Sequence, residues 1–284
     1  MHDVRINLHD RFSFFQDPLQ QGSVGGTNNI NSRYGQAENV AGISLEWDLN
    51  KLLLSAGFDY AISFATSDEF SYLDRNAQFY NLRAGFLVAP ELTVGLETTA
   101  GATQYDNSNS PSNGSPQLDD STQFSVGPFI DWQMSRFMRL ELRGGYTSSS
   151  FDSTNSVDSS NYYVYLSLDH DLNRYMRYTL GLGHYVTLGI NSDALNLSFV
   201  RLAARWQILR KTDITTDLFY EHGEELGATS PETYDRFGFS IGLGYNLTQH
   251  LFATLRYSFT DKSSDQPQRG YQQNQVGINL RYQF

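Results

Sequence analysis

The sequence predicts an all-β fold, a single antiparallel up-and-down barrel of about fourteen strands. Three observations predict it. Segments of ten or more residues alternate apolar and polar side chains, which is the period of an extended strand. Stretches rich in Ser, Asn, Asp and Gly separate pairs of such segments, as long loops do. Short turns recur about 40 residues apart, near Asn50, Pro90, Ser135, Asn173, Leu209 and Gln249.

The alternation sets the order of the elements along the chain. Each repeat holds two strands, joined by a short turn and followed by a long loop. An even number of strands returns the C-terminus to the side of the N-terminus, with the short turns on that side. We predict one domain over residues 1–284, with strands at 4–15, 39–49, 52–65, 77–88, 92–104, 122–133, 137–148, 161–171, 175–187, 195–208, 212–222, 235–247, 251–260 and 272–284.

The last ten residues show what the apolar face meets. Val276, Ile278, Leu280, Tyr282 and Phe284 share one face of a strand, and polar residues or glycine occupy the other. Such a face suits lipid, with its aromatic end at the headgroup level. This strand resembles the terminal strand of Gram-negative outer-membrane β-barrels, in which a closing Phe is the assembly signal. The resemblance implies a transmembrane barrel that the barrel assembly machinery recognises through the strand ending in Phe284.

Composition excludes several classes of protein. Cys is absent, which excludes a disulfide framework, a thiolate metal site and a cysteine nucleophile. The sequence contains no run of eighteen apolar residues, so a helical membrane span is excluded. The mean hydropathy of −0.44 does not argue against a membrane barrel, because the lumen face of such a barrel is polar. Residues 1–3 lead directly into strand-like sequence, so we expect that upstream sequence was removed or that Met1 is an added start residue.

Two soluble folds compete with the barrel. A repeat near 40 residues also occurs in seven-bladed propellers. A blade needs four short strands and recurring Gly-His and Trp-Asp pairs, whereas each repeat here holds two long strands and Trp47-Asp48 stands alone. A soluble sandwich needs shorter strands. The barrel fits the strand lengths better than either alternative.

The net charge of −11 lies on the long loops. These loops carry fifteen acidic and four basic side chains, while the strands and short turns carry sixteen of each. One interpretation is an acidic rim that concentrates cations or binds divalent ions bridging lipopolysaccharide phosphates. The other is a solvated loop surface that resists aggregation.

The strand charges share the face opposite the apolar one. Reflection of each hairpin about its turn places Arg83 opposite Glu97, Asp131 opposite Arg139 and Asp169 opposite Arg177, and it places Arg201 and Arg205 opposite Asp217 and Asp213. Opposite charges across a strand pair attract, and an Arg facing lipid at mid-depth costs roughly 2–4 kcal/mol. One interpretation is that these strand charges orient ions or sugars in the lumen. The other is that they form ion pairs that stiffen the barrel wall. The predicted lumen lining is Arg83, Glu97, Asp131, Arg139, Glu141, Arg143, Asp169, Arg177, Arg201, Arg205, Asp213, Asp217, Arg256 and Arg281.

Motifs for catalysis are lacking. Six His residues are scattered without metal-ligating spacing, and Asp169-His170-Asp171 lies beside a short turn without a Ser partner. Gly181-Leu182-Gly183 and Gly242-Leu243-Gly244 precede no helix and are not phosphate loops. We expect no enzymatic activity, cofactor or metal, and no nucleic-acid binding, because the basic residues are few and paired.

Function follows from the predicted lumen. Eight strands make a filled barrel, so fourteen are expected to leave a water-filled pore for passive diffusion of small hydrophilic solutes. The expected location is the outer membrane of a Gram-negative bacterium, with both termini periplasmic. The expected partners are lipid and lipopolysaccharide outside the barrel, and ions or saccharides in the lumen.

Two other functions stay open. The whole chain resembles porin-like outer-membrane barrels found near exopolysaccharide loci, which implies an export channel for a secreted polysaccharide working with periplasmic partners. A non-conducting scaffold or adhesin is the third hypothesis. For the export channel, inward aromatic rings would stack on sugar rings or would be wall packing: Phe79, Phe129, Tyr163, Tyr185, Phe199 and Phe219.

Overall fold

The computed structural model describes residues 4–15, 35–106, 119–152, 159–188, 194–226 and 231–282. These residues form fourteen strands and one short 3-10 helix, Asp68–Leu73. Phe284, which was predicted to end the last strand as the assembly signal, lies outside the described residues. The strands are β1 Val4–Phe15, β2 Gln36–Leu49, β3 Leu52–Ala65, β4 Arg75–Ala89, β5 Leu92–Tyr105, β6 Ser121–Ser135, β7 Met138–Phe151, β8 Ser159–Asn173, β9 Met176–Leu188, β10 Ala194–Leu209, β11 Thr212–Leu226, β12 Thr233–Asn246, β13 Leu251–Ser264 and β14 Tyr271–Tyr282.

The strands form one antiparallel sheet in which each pairs with its neighbours in sequence. The order runs from β1 to β14 without a crossover. The predicted all-β up-and-down fold of fourteen strands is confirmed. Within the described residues the pairing joins β1 to β2 and β14 to β13, and no hydrogen-bonded ladder links β1 with β14.

Side-chain alternation gives the sheet an apolar outer face. Along β14, Val276, Ile278 and Leu280 are 73%, 76% and 65% exposed, on the face opposite Gly277 and Asn279. Among the described residues, exposed large apolar side chains outnumber buried ones. A soluble protein does not leave such a surface in water, but lipid solvates it.

Aromatic side chains mark the short-turn end of the outer face. Trp47, Trp132 and Trp206 are each exposed and lie within a few residues of a short turn. Phe137 and Tyr175 lie in two of these turns and are also exposed. Aromatic rings prefer the boundary between hydrocarbon and headgroups, so this ring of side chains fits one membrane interface.

Bulges near the short turns set the register of four hairpins. The register shifts between Leu87 and Ala89, Trp132 and Ser135, Asp171 and Asn173, and Gln207 and Leu209. Each bulge adds a residue to the first strand of its hairpin, just before a two-residue turn. Predicting partners by reflecting the sequence about the middle of a turn takes no account of this extra residue.

In the described part of the chain, no helix is long and apolar enough to cross a membrane.

The turn between β2 and β3 depends on one unusual backbone conformation. Asn50 has φ of 67°, and its N–H donates a 2.8 Å hydrogen bond to Asp48 Oδ1. Asn tolerates this left-handed region, whereas a β-branched residue does not. We expect Asn50→Val to lower the free energy of unfolding by about 1–2 kcal/mol.

The matched control is Lys51→Val at the next position, which lacks a positive φ. Urea titration of protein folded into lipid vesicles measures both variants. Equal stability of the two would show that the conformation of Asn50 does not limit this turn.

Candidate functional site: the polar inner wall

The face opposite the lipid-facing side chains carries the predicted lumen residues. The strand registers place all fourteen of them on this face, which we call the inner wall. Their role in lining a pore stays a prediction. The contacts they make divide them into clusters along the sheet.

The first cluster lies on β4, β6 and β7. Arg83 Nη2 donates a 2.8 Å hydrogen bond to Asp131 Oδ2, and Arg139 Nη2 lies 3.8 Å from Asp131 Oδ1. The Arg83 guanidinium also stacks over the Phe129 ring at 3.6 Å. Two arginines therefore share one carboxylate, and an aromatic ring holds one of them against the wall.

The second cluster lies on β5, β7 and β8. Arg143 forms an ion pair with Glu141 and lies 3.9 Å from Glu97 Oε2. The Tyr163 hydroxyl lies 3.4 Å from Glu97 Oε1, and the Arg143 guanidinium lies 5.7 Å from the Tyr165 ring centroid. Here two carboxylates share one arginine, so the two clusters have opposite charge balance.

Four of the five predicted strand-opposite pairs are wrong in register. Arg83 lies opposite Glu97 as predicted, although Asp131 is its hydrogen-bonded partner. The residue opposite Asp131 is Glu141, so the predicted pairing with Arg139 is corrected to a diagonal contact. The register of this hairpin is centred on Arg136 and not on the predicted Ser135, which moves the partner by two residues.

The same correction applies to β8 and β9. Arg177 lies opposite Asp171 and forms its ion pair there, while Asp169 lies opposite Thr179. The Thr179 hydroxyl donates a 2.6 Å hydrogen bond to Asp169 Oδ1. The predicted Asp169–Arg177 pair is therefore replaced by two neighbouring interactions.

On β10 and β11 the predicted ion pairs exist, but the residues do not lie directly opposite. Arg201 Nη2 lies 2.7 Å from Asp217 Oδ2, and Arg205 Nε lies 3.4 Å from Asp213 Oδ2. The register places Arg205 opposite Thr215 instead. Long arginine side chains span this offset of two residues. The shift is even, so every side chain stays on its predicted face.

Sequence reasoning missed a buried charge cluster at the long-loop end of β11–β14. It consists of Glu221, Glu225, Glu232, Arg236, Lys262 and Arg269. Arg236 forms an ion pair with Glu221, and Lys262 Nζ lies 2.6 Å from Glu232 Oε1. Arg269 Nη1 lies 3.0 Å from Glu225 Oε2 and 3.3 Å from Glu232 Oε2.

Burial distinguishes this cluster from the rest of the wall. The Lys262 and Glu232 side chains are 0% exposed, and Glu221 and Arg236 are 2% and 8% exposed. The region between β11 and β12 was predicted to be loop, whereas β11 continues to Leu226. A signal was present, since reflection about the middle of the long loop places Glu221 opposite Arg236, as the register does.

Polar residues surround the cluster on the outer face. His222 and Glu224 on β11, Asp235 on β12 and Ser263 on β13 all face outward at its level. Asp235 accepts hydrogen bonds from the Tyr220 hydroxyl at 2.7 Å and lies 2.9 Å from His222 Nδ1. The cluster therefore lies beyond the hydrocarbon layer, at the long-loop mouth.

Acidic residues of the long loops also satisfy backbone groups. The N–H groups of Ala65, Tyr105 and Thr233, each at a strand end, donate to Asp74 Oδ1, Asp120 Oδ1 and Asp265 Oδ1 at 2.6, 2.9 and 2.9 Å. Strand ends that extend past their neighbours leave such groups unpaired. Part of the loop acidity is thus used to terminate strands.

Metal-ligating geometry is not found in the described ranges, where no three His, Asp or Glu side chains converge on a common point.

Comparison with known families settles the class of protein. Residues 90–284, more than half of the chain, match the model of the family described as "Outer membrane protein beta-barrel domain". The chain belongs to this family. Membership makes it an outer-membrane β-barrel protein, and such proteins reside in the outer membrane of Gram-negative bacteria. No curated protein sequence matches it.

Solved structures show the same fold at low sequence identity. A chain of the FpvAI–pyocin S2 complex has a TM-score of 0.57 and 11% identity, over 99% of this chain and 49% of that one. The FrpB iron transporter from Neisseria meningitidis (F5-1 variant) has a TM-score of 0.57 and 12% identity, over 100% of this chain and 56% of that one. The barrel chain spans about half the length of these proteins.

The buried charge cluster gives a test of stability. Lys262→Met removes the ammonium group beside Glu232 Oε1 and leaves Arg269, 3.3 Å from Oε2, as the remaining cationic partner of this buried carboxylate. We expect the free energy of unfolding to fall by about 3 kcal/mol. Adding Glu232→Gln removes the undercompensated charge, and the double variant is expected to recover much of the loss. Denaturant titration in lipid vesicles measures both.

The exposed Arg5–Glu46 pair is the matched control. Its atoms lie 3.2 Å apart, with side chains 80% and 59% exposed. Arg5→Gln is expected to cost less than about 1 kcal/mol. If Lys262→Met cost no more than Arg5→Gln, burial of the cluster would contribute nothing measurable.

Asp74 gives a test of pH dependence outside the strands. Burial raises the pKa of Asp74, the Ala65 N–H opposes this, and nearby Asp106 raises the pKa further. The folded state then binds this proton more tightly than the unfolded state, so stability falls as the pH rises through the folded pKa.

Asp74→Asn keeps an acceptor for the Ala65 N–H and removes the charge. We expect the variant to be more stable than the wild type at neutral pH and similar in acid, in unfolding titrations at both. A variant that is less stable at neutral pH would contradict the sign of this effect.

Proposed function

We propose that the protein is a pore for passive diffusion of small hydrophilic solutes across the outer membrane. The observation that carries the proposal is the exposure of charged groups on the inner wall. The Arg139, Arg177 and Arg205 side chains are 54%, 70% and 66% exposed, although each lies near a carboxylate. Charged groups on the face away from lipid, with guanidinium N–H groups open to solvent, suit a water-filled lumen.

Fixed ion pairs on the wall would determine how the pore orients solutes and how it selects between ions. Alternating arginines and carboxylates along the wall create a local field that orients small polar solutes as they pass. Because acids and bases nearly balance there, selectivity between small cations and anions is expected to be weak. The buried charge cluster is held in place by its own contacts, so it would form a rigid part of the long-loop mouth.

The FrpB neighbour is named as an iron transporter, which is compatible with transport but shares only the fold with this chain. In the proposal both termini are periplasmic, lipid and lipopolysaccharide surround the outer face, and the assembly machinery binds the C-terminal strand.

Polysaccharide export receives less support from the inward aromatic rings. Phe129 and Phe199 are 2% and 7% exposed, so their faces are not available to sugars. A Cβ atom on Gly183 would lie 2.7 Å from the Phe199 ring, and one on Gly95 would lie 2.6 Å from the Phe129 ring. These rings pack closely against glycine on the wall. Of the six inward aromatic rings, Phe79 is the most exposed, at 43%. Because Phe129 and Phe199 are buried, packing against the wall describes these rings better than sugar binding.

Single-channel recording tests the proposal. Refolded protein in a planar bilayer is expected to give stable open steps in potassium chloride with weak ion selectivity. Blocking by oligosaccharides would favour the export channel instead. An inserted barrel that stays silent would overturn the open pore and favour a scaffold.

Arg139→Gln tests whether the inner wall faces the permeating ions. Removal of one inward positive charge is expected to shift the permeability ratio toward cations by roughly two- to fivefold, measured as the reversal potential in a salt gradient. Arg174→Gln, in the turn between β8 and β9, is the control and should leave the ratio unchanged. Equal shifts in both variants would contradict a lumen position for Arg139.

A further inference from the structure

A cavity lies on the inner wall toward the short-turn end of β9–β13. It has a volume of about 230 Å³. This is smaller than the pockets that hold drug-sized ligands, so it suits a small solute or one group of a larger one. Its polar lining includes Arg177, Thr179, Arg205, Thr215, Ser240 and Arg256.

One row across five strands brings three arginines to this cavity. Arg177 lies directly opposite Arg205, which lies opposite Thr215. Thr215 lies opposite Gly242, which lies opposite Arg256. Like charges directly across a strand pair repel each other, so the Arg177–Arg205 pair needs negative charge nearby.

The protein supplies one carboxylate to each of these two arginines. Arg177 forms an ion pair with Asp171, and Arg205 has Asp213 at 3.4 Å. Asp217 also lines the cavity, but both Nε and Nη2 of Arg201 donate to its Oδ2, at 2.8 and 2.7 Å. The carboxylate of Asp217 is therefore already neutralised by an arginine outside the lining.

Arg256 completes the site. Among the described residues, no carboxylate lies within 4.0 Å of its guanidinium, so its five N–H donors lack an anionic acceptor. A Cβ atom on Gly242 would lie 3.8 Å from Arg256 Nε and 2.6 Å from Thr215 Oγ1. The Arg256 side chain thus lies over Gly242, and a side chain at this position would collide with the Thr215 hydroxyl.

We propose that this cavity is an anion subsite on the wall of the pore. It binds a carboxylate, sulfate or phosphate group between the Arg256 and Arg205 guanidinium groups, with the Thr215 and Ser240 hydroxyls as further donors. Charge-assisted bonds from two guanidinium groups match an oxyanion better than a neutral sugar. The inference rests on the proposed function, because a solute reaches this site from the lumen. Binding can nevertheless be measured without any flow of ions through the pore.

Binding in detergent micelles tests the subsite directly. Isothermal titration of the refolded protein with inorganic phosphate, at constant ionic strength in chloride, is expected to show saturable binding. Arg256→Gln is expected to weaken this binding about tenfold or more, because it removes a charged donor. Arg281→Gln is the matched control, since Arg281 lies on the inner wall of β14 over the Phe252 ring, 5.3 Å away, and does not line the cavity.

A second arm uses glucuronate in place of phosphate and separates a preference for oxyanions in general from one for phosphate. Absence of phosphate and glucuronate binding to the wild type would overturn the subsite, and so would equal losses in Arg256→Gln and Arg281→Gln. Circular dichroism of each variant confirms the strand content before titration.

Bilayer recording separates the two proposals. A pore that conducts but shows no Arg256-dependent binding retains the proposed function and loses the subsite. A silent barrel that binds phosphate through Arg256 retains the subsite and loses the open pore.

Discussion

Backbone hydrogen bonding between neighbouring strands is the constraint on which the rest of this structure depends. Lipid offers no partner for an unpaired N–H or C=O group, so a chain that crosses it in strands must pair them side by side. Pairing fixes the pleat, and the pleat divides the side chains into two faces. Apolar residues such as Val276 and Ile278 then meet lipid, and charged residues such as Arg83 and Asp131 are directed to the other side.

The inner wall uses its charges in two ways. Toward the short turns, arginines and carboxylates pair while keeping exposed donors, and Arg256 has no acidic partner among the described residues. At the long-loop mouth the charges of Glu232 and Lys262 are fully buried. Solvated pairs of the first kind contribute little to stability and keep donor groups exposed to solvent. Buried pairs of the second kind tolerate no missing partner, so they fix the shape of the mouth.

Prediction from sequence succeeded for features that depend only on the two-residue alternation of side chains along a strand. The face of every predicted lumen residue follows from alternation, because a turn centre misplaced by one residue moves each partner by two and leaves its face unchanged. The predicted direct partners are wrong where the centre of the hairpin lies one residue beyond the predicted turn centre, as for Asp131 and Arg139 or Asp169 and Arg177. The buried charge cluster was missed because Glu225 and Glu232 resemble loop acids in sequence, and their burial depends on packing that no local pattern encodes.

The sequence by itself therefore determined the fold class, the fourteen strands and the sorting of side chains between lipid and the inner wall. These follow from a two-residue period and from the cost of charge in hydrocarbon. Tertiary structure decided which charges touch, which are buried, and that Arg177, Arg205 and Arg256 share one cavity. Those outcomes depend on register and side-chain reach across strands far apart in the chain, so local sequence cannot specify them.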